Sequence, residues 1–350
     1  MGEVKLKDVA RAAGVSQGTA SNVFNRPASV GRERRERVLA AAAALGYRGP
    51  QPAGRALRSG RTHLAALVVE ERLRYLFDDP FCQRLLAGIG EVLDEVGTGL
   101  AVVSLASGRA DGWSIETAIA DGLILFCLEQ ESPLIARARA RGVPFVAVDS
   151  GPVAGTATVN LDEARAAHAA AAHLAALGHR RVAILSLDLA RDGRVGPVDL
   201  AREGAGGFTL PRERLAGYRS GLAAAGLDPA EIAVFETRND AATVAAAIDH
   251  LFARAAPPTA LLAMSDVIAL DAIARLAERG LAVPGDVAVV GFDDVPPAAS
   301  AVPALTTVHQ PVEEKGRLAA RLLLAGAAPG DVRLPGRLVV RASTGPPAAP

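Results

Sequence analysis

Ser16 to Asn25 (SQGTASNVFN) packs amides and hydroxyls into one short stretch. On a helix, Ala20, Val23 and Phe24 turn inward, and Gln17, Gly18, Thr19, Ser21 and Asn22 crowd its start and outer face. Gln17 and Asn22 could pair with base edges in a major groove, while Thr19, Ser21 and the N-terminal lysines could hold phosphates. The candidate DNA contacts are Lys5, Ser16, Gln17, Gly18, Thr19, Ser21, Asn22 and Asn25, with Arg55 and Leu57 further on. A second set points to different chemistry. Asp149, Arg212, Ser265, Asp266 and Asp293 each follow an apolar run or stand on the loop after one. Carboxylates, a guanidinium and a hydroxyl suit paired hydrogen bonds to vicinal hydroxyls, so the ligand would be a sugar or a nucleoside. Both sets admit a plainer explanation: the first as polar faces of an ordinary helical bundle, the second as helix caps after strands.

Catalytic and cofactor chemistry finds little support. There is no G-x-x-x-x-G-K-[ST] loop and no G-x-S-x-G elbow. His168 and His173 are five apart on one helical stretch, so they project about 140° from one another and cannot share a metal. Cys82 and Cys127 are too few for a disulfide framework and read as reduced core thiols. The reading is of a protein that is not an enzyme and needs no cofactor or metal. The charged, polar start has no signal-peptide core, and no apolar run approaches the ~20 residues of a membrane span. A cytoplasmic location is expected, which counts against a periplasmic solute-binding protein, the main alternative.

Two helices joined by a tight turn must position the first set. Leu6, Val9, Ala10 and Ala13 form one stripe, Gly14 ends the first helix, Val15 plugs the corner and Ser16 caps the second. A third helix, Arg32 to Gly46, is expected to turn Val38, Leu39, Ala42 and Leu45 inward. Charge agrees with a polyanionic partner: residues 1–61 hold 12 Lys+Arg against 4 Asp+Glu, although the whole chain has 38 of each.

A parallel α/β fold must position the second set. Apolar runs predict strands at Leu64–Val69, Leu100–Leu105, Gly122–Leu128, Pro144–Val148, Arg181–Leu185, Ala260–Ala263 and Val287–Gly291. Helical patterns alternate with them at Phe81–Val96, Leu134–Arg141, Leu161–Leu177, Leu215–Ala225, Thr243–Ala255, Ser265–Arg279 and Val312–Leu324. Glu70–Asp79 and the glycine-rich Asp188–Pro211 read as long loops.

Several motifs in order carry a resemblance. The helix-turn-helix is followed by Arg35–Tyr47 (RERVLAAAAALGY) and by Ala53–Thr62 (AGRALRSGRT). Asp79-Pro80-Phe81, Arg212–Tyr218 (RERLAGY), Val283–Asp294 (VPGDVAVVGFDD) and Leu305–Val308 (LTTV) come later. Together they resemble the LacI/GalR family of bacterial transcriptional regulators, and the likeness runs through nearly the whole chain.

The resemblance implies a helix-turn-helix head over 1–48, a hinge over 49–61 and a core over 62–345. The core would be bilobed, parallel α/β and periplasmic-binding-protein-like, with chain crossings near Asn160, Phe292 and Gln310. Residues 346–350 read as a disordered tail. It further implies a homodimer on a pseudo-palindromic operator, with Asp149, Arg212, Ser265 and Asp293 at effector-contact positions and Asp266 as a more structural neighbour. The tail offers no leucine heptads, so a dimer is expected rather than a tetramer. Leu57 lies where the family's minor-groove leucine does. Four features depart from the pattern: Gly18 stands where a larger base-reading side chain is usual, Asn22 replaces a frequent Arg, and Pro52 and Gly54 disfavour a hinge helix. Asn pairs with adenine where Arg prefers guanine, so the half-site preference should shift toward A at that step.

Overall fold

Local sequence builds the N-terminal unit almost by itself. The computed structural model describes residues 4–49, 60–106 and 114–348, and the chain divides into two units, Met1–Thr62 and His63–Pro350. In the first, α1 (Leu6–Ala12) and α2 (Gln17–Asn25) flank a turn in which Gly14 takes φ 64°. The Ser16 hydroxyl accepts the Thr19 backbone N–H at 3.0 Å, satisfying one orphan donor of α2. A third helix, α3 (Arg32–Leu45), ends on left-handed Gly46. Val9, Ala10, Ala20, Val23, Val38 and Ala42 form the core, with the Phe24 and Tyr47 rings edge to face at 5.6 Å. Leu39 and Leu45 do not face inward as the pattern predicts; they are 43% and 39% exposed. With Val38 and Ala42 one turn apart on the buried face, Leu39 is rotated about 100° away from it.

The second unit holds two sheets. Its elements, in order, are β1 (Leu64–Val69), α4 (Leu73–Asp78), α5 (Pro80–Glu95), β2 (Gly99–Ser104), β3 (Gly122–Phe126), α6 (Pro133–Arg141), β4 (Phe145–Val148) and β5 (Ala157–Leu161). Then follow α7 (Glu163–Ala176), β6 (Val182–Ser186), β7 (Gly196–Val198), α8 (Leu200–Gly204), α9 (Thr209–Ala223), β8 (Ala233–Glu236), α10 (Ala241–Phe252), β9 (Ala260–Ala263) and α11 (Asp266–Glu278). The last are β10 (Ala288–Asp293), α12 (Pro296–Ser300), β11 (Thr306–His309), α13 (Val312–Ala325), β12 (Gly330–Leu334) and β13 (Arg337–Val339).

One sheet runs β12-β5-β4-β3-β1-β2 and is parallel throughout. The other runs β13-β11-β10-β9-β6-β8-β7, parallel except for its antiparallel edges β13 and β7. Helices cover both faces of each sheet, which is why central strands such as β3, β6 and β9 are apolar and fully buried along their length. Helix pairs meet at glycines: a Cβ on Gly88 of α5 would overlap the Glu313 backbone of α13, and one on Gly217 of α9 the Ala164 backbone of α7.

Each sheet, with its helices, forms a lobe, and the chain passes between lobes at 161–163, 309–312 and 334–337. The crossing expected near Phe292 does not occur. Both β10 and β11 lie in the second sheet, and the return comes instead after β12, at Pro335-Gly336. Other expectations need revision as well. Leu161 closes β5 rather than opening a helix, because Asp162 caps α7 through the Arg165 N–H. The stretch Glu70–Asp79 contains α4, and Asp188–Pro211 contains β7, α8 and the start of α9. At the C-terminus His179 Nε2 is 2.9 Å from the Gly345 carbonyl, and Pro347 is half-buried. Residues 349–350 lie outside the described ones.

Candidate functional site

Two sites stand out, one in each unit. In the first, α2 carries the face expected to read DNA. Gln17, Gly18, Asn22 and Asn25 are exposed, and Thr19 and Ser21 are half-buried. Hydroxyls tie parts of this face together: Ser16 Oγ lies 2.9 Å from Thr19 Oγ1, and the Asn25 amide donates to the Ser21 carbonyl at 3.0 Å. Among the described residues neither the Gln17 nor the Asn22 amide is tied up in this way, which leaves both able to meet a base edge. Exposed Lys5 opens α1, its backbone N–H bonded to the Asp8 carboxylate at 3.0 Å. Arg55 and Leu57 lie outside the described residues.

In the second unit a cleft of ≈ 400 Å³ opens at the carboxyl ends of the strands of both lobes. Asp149, Ser265 and Asp293 line it; Arg212 and Asp266 do not. The correction for Arg212 follows from helix phase. Because α9 begins at Thr209, Pro211, Arg214, Leu215, Tyr218 and Leu222 share its buried side, and Arg212 faces out. Arg214 is the guanidinium that α9 puts into the cleft: its Nε donates to Glu163 at 2.7 Å, its Nη2 lies 3.9 Å from Asp293, and its plane sits 3.6 Å over the Phe292 ring. The stripe Leu215, Tyr218, Leu222 could have singled out Arg214 from sequence, since Arg214 lies one turn before Tyr218.

Asp266 sits beneath the floor. It accepts from Thr307 Oγ1 at 2.5 Å and from the Val295 N–H at 2.8 Å, and burial, opposed by these bonds, pushes its pKa to about 7. Ser265 both caps α11, through the Ile268 N–H, and bonds Asn239 at 2.5 Å, so capping and cleft lining are not alternatives.

The walls are joined by residues that sequence reasoning missed. Asn239 of the second lobe donates to Asp79 at 3.0 Å and to the Tyr75 hydroxyl at 3.2 Å, both from the first. Arg191 reaches Glu71 at 2.8 Å across the mouth. At the floor, Lys315 donates to Asp149 at 2.7 Å and to Gln310 at 2.8 Å, and Gln310 in turn donates to Asp293. Burial raises the carboxyl pKa of Asp149 against the pull of Lys315, and that of Asp293 against the pull of Arg214. Cys82 and Cys127, expected in the core, also line the cleft; burial pushes the Cys127 thiol up to about 12, which leaves it a poor nucleophile.

Backbone strain concentrates in the same place. Cys127, Asp149, Asn239, Asp293 and Asp294 all take positive φ (50°, 52°, 56°, 116° and 55°) at or just after strand ends. Non-glycine residues persist there only when their surroundings over-determine them, a mark of sites held ready for a ligand.

Comparisons with known proteins agree with this division. Residues 5–49 match the profile of bacterial regulatory proteins of the lacI family, and residues 171–344 match a periplasmic binding protein-like domain. An HTH-type transcriptional regulator of Mycobacterium tuberculosis is 38% identical, over 89% of this chain and 87% of its own length. The HTH-type transcriptional regulator CelR of Thermobifida fusca is 36% identical, over 96% and 95%. Among solved structures, a lac repressor dimer bound to operator and the anti-inducer ONPF has TM-score 0.76 at 26% identity, covering 98% of this chain and all of that one (100%). The CelR–cellobiose complex has TM-score 0.68 at 32% identity, covering 97% and 100%.

Proposed function

This chain belongs to the LacI family of bacterial regulatory proteins, DNA-binding transcriptional regulators, and we propose from that premise that it is a cytoplasmic repressor whose operator affinity is set by a small sugar. The observation that carries the reading is the pairing of a capped helix, whose exposed Gln17 and Asn22 amides have no hydrogen-bond partner among the described residues, with a strained, polar cleft between two lobes. Two copies form a homodimer, and its two-fold symmetry calls for a pseudo-palindromic site. Gln17 and Asn22 read bases, Thr19, Ser21 and Lys5 hold phosphates, and Leu57 wedges into the minor groove. The solved lac repressor dimer on its operator supports the first half, and the CelR–cellobiose complex supports a sugar in the cleft.

Asp149 and Asp293 bind ligand hydroxyls, with Arg214 in the role expected of Arg212. Asn239, held between Ser265 on its own lobe and Asp79 and Tyr75 on the other, reports lobe closure. The effector changes that closure, and the change alters DNA affinity by a coupling of about 1–3 kcal/mol, which is reciprocal. Selection of binding sites from random DNA with the full-length protein, in ~0.15 M salt where exposed charges are screened beyond about 8 Å, tests the first claim. Enrichment of an inverted repeat is expected. Recovery of only weak, salt-labile, sequence-blind binding would overturn it.

A further inference from the structure

The cleft has a marked charge bias. Seven carboxylates against three guanidiniums line it among the described residues. The few cations are already committed. Arg214 is shared by Glu163 and Asp293, Arg191 by Glu70 and Glu71, and Arg238 gives its terminal nitrogen to the Gly193 carbonyl. At the mouth Asp188 is pushed up to about 6 by burial and by the nearby charges of Glu71 and Glu236, the signature of a negative local field.

The floor is different, because there charge is balanced. Lys315, fully buried, offsets Asp149 at 2.7 Å and spends a second proton on Gln310. Asp149 is 4% exposed and lines the cleft, yet its Oδ2 has no hydrogen-bond partner among the described residues. A buried carboxylate oxygen without a donor is costly, so the bound state should supply one. Lys315 has already neutralised the charge, so that donor need not be a cation; a hydroxyl suffices.

We propose that this cleft selects an uncharged polyhydroxylated effector, with one hydroxyl donated to Asp149 Oδ2, and rejects the phosphorylated form of the same molecule. A phosphate would enter through the acidic mouth and find every guanidinium and the one floor ammonium paired. This rests on the reading of the cleft as an effector site for a sugar.

The test is calorimetric titration of the full-length chain with matched pairs: glucose and glucose 6-phosphate, ribose and ribose 5-phosphate, cellobiose and its phosphate, adenosine and AMP. The expected result is a neutral sugar that binds at least tenfold more tightly than its phosphate. A sugar phosphate binding as tightly as its neutral partner, or more tightly, would overturn the charge selection and leave the sugar reading standing. Adenosine binding alone would keep the selection and overturn the sugar reading, and silence from all pairs would overturn both. A double variant at the mouth, Glu71→Gln with Asp188→Asn, should narrow the neutral-to-phosphate ratio several-fold. An unchanged ratio would remove the mouth from the explanation.

Discussion

The reading helix and the cleft solve opposite problems. On α2 the side chains proposed to read bases stand in water, and the fold beneath them depends on Ala20 and Val23 rather than on Gln17 or Asn22. In the cleft the polar groups are buried and bonded to one another: Arg214 to Glu163, Lys315 to Asp149, Asn239 to Ser265 and Asp79. Function and stability are therefore separable on the helix and joined in the cleft. A change at one site should alter what the protein binds; a change at the other should alter whether it folds.

The largest effect should come from breaking the buried network. Arg214→Ala leaves Glu163 and Asp293 without their cation and should destabilise the second unit by about 3–5 kcal/mol, read from urea unfolding. Arg212→Ala, two residues away and exposed, should stay within about 0.5 kcal/mol. Equal losses from the two would remove the distinction between them. On the other side, Asn22→Ala should cost about 1–3 kcal/mol of operator affinity and relax the preference at one base pair, with the unfolding midpoint unmoved. An Asn22→Ala protein with unchanged preference at every base would end its role as a reader.

Two smaller effects refine the contrast. Burial raises Asp188 to about 6, so the folded state holds more protons than the unfolded chain between about pH 4 and 6. Stability should fall as pH rises through that window, and Asp188→Asn should flatten the fall, gaining about 1 kcal/mol at pH 7 once solvent screening is allowed for. Matching pH profiles for the two proteins would contradict this. Gly18→Ala should raise the stability of the helical unit by about 0.5–1 kcal/mol, because only Ser16 Oγ, at 3.8 Å, lies near the added carbon. A lower melting temperature would show that the position is not open.

Legibility from sequence follows the range of the interactions. The helical unit could be read almost residue by residue because its stripe, turn glycine and cap all act within four positions. Leu39 and Leu45 escaped because both are apolar in a helix too alanine-rich to show which side is buried. In the second unit β1, β2, β3, β4, β6, β9 and β10 announced themselves by apolar runs. By contrast, β5, β8, β11 and the edge strands β12 and β13 carry polar residues and were missed, as was the short edge strand β7. Asp149 and Asp293 could be found because carboxyl ends of strands are where ligands sit. Lys315 could not, since its partner Asp149 is 166 positions away and nothing local marks a lysine that will be fully buried.

The three passages between lobes also set an order of events at the ribosome. The first lobe begins with β1 but is completed only by α13 and β12, whose residues emerge after the second lobe has been made from α7 through β11. At roughly 5–20 residues per second, the chain waits on the order of ten to thirty seconds between the end of β5 and the end of β12. Through that interval the apolar face that Ala319, Ala320 and Leu323 will cover stands open to water and to neighbouring nascent chains. The lobe that appears first stays unfinished while nearly all of the other is made, and it is there that a chaperone would have the longest time to act.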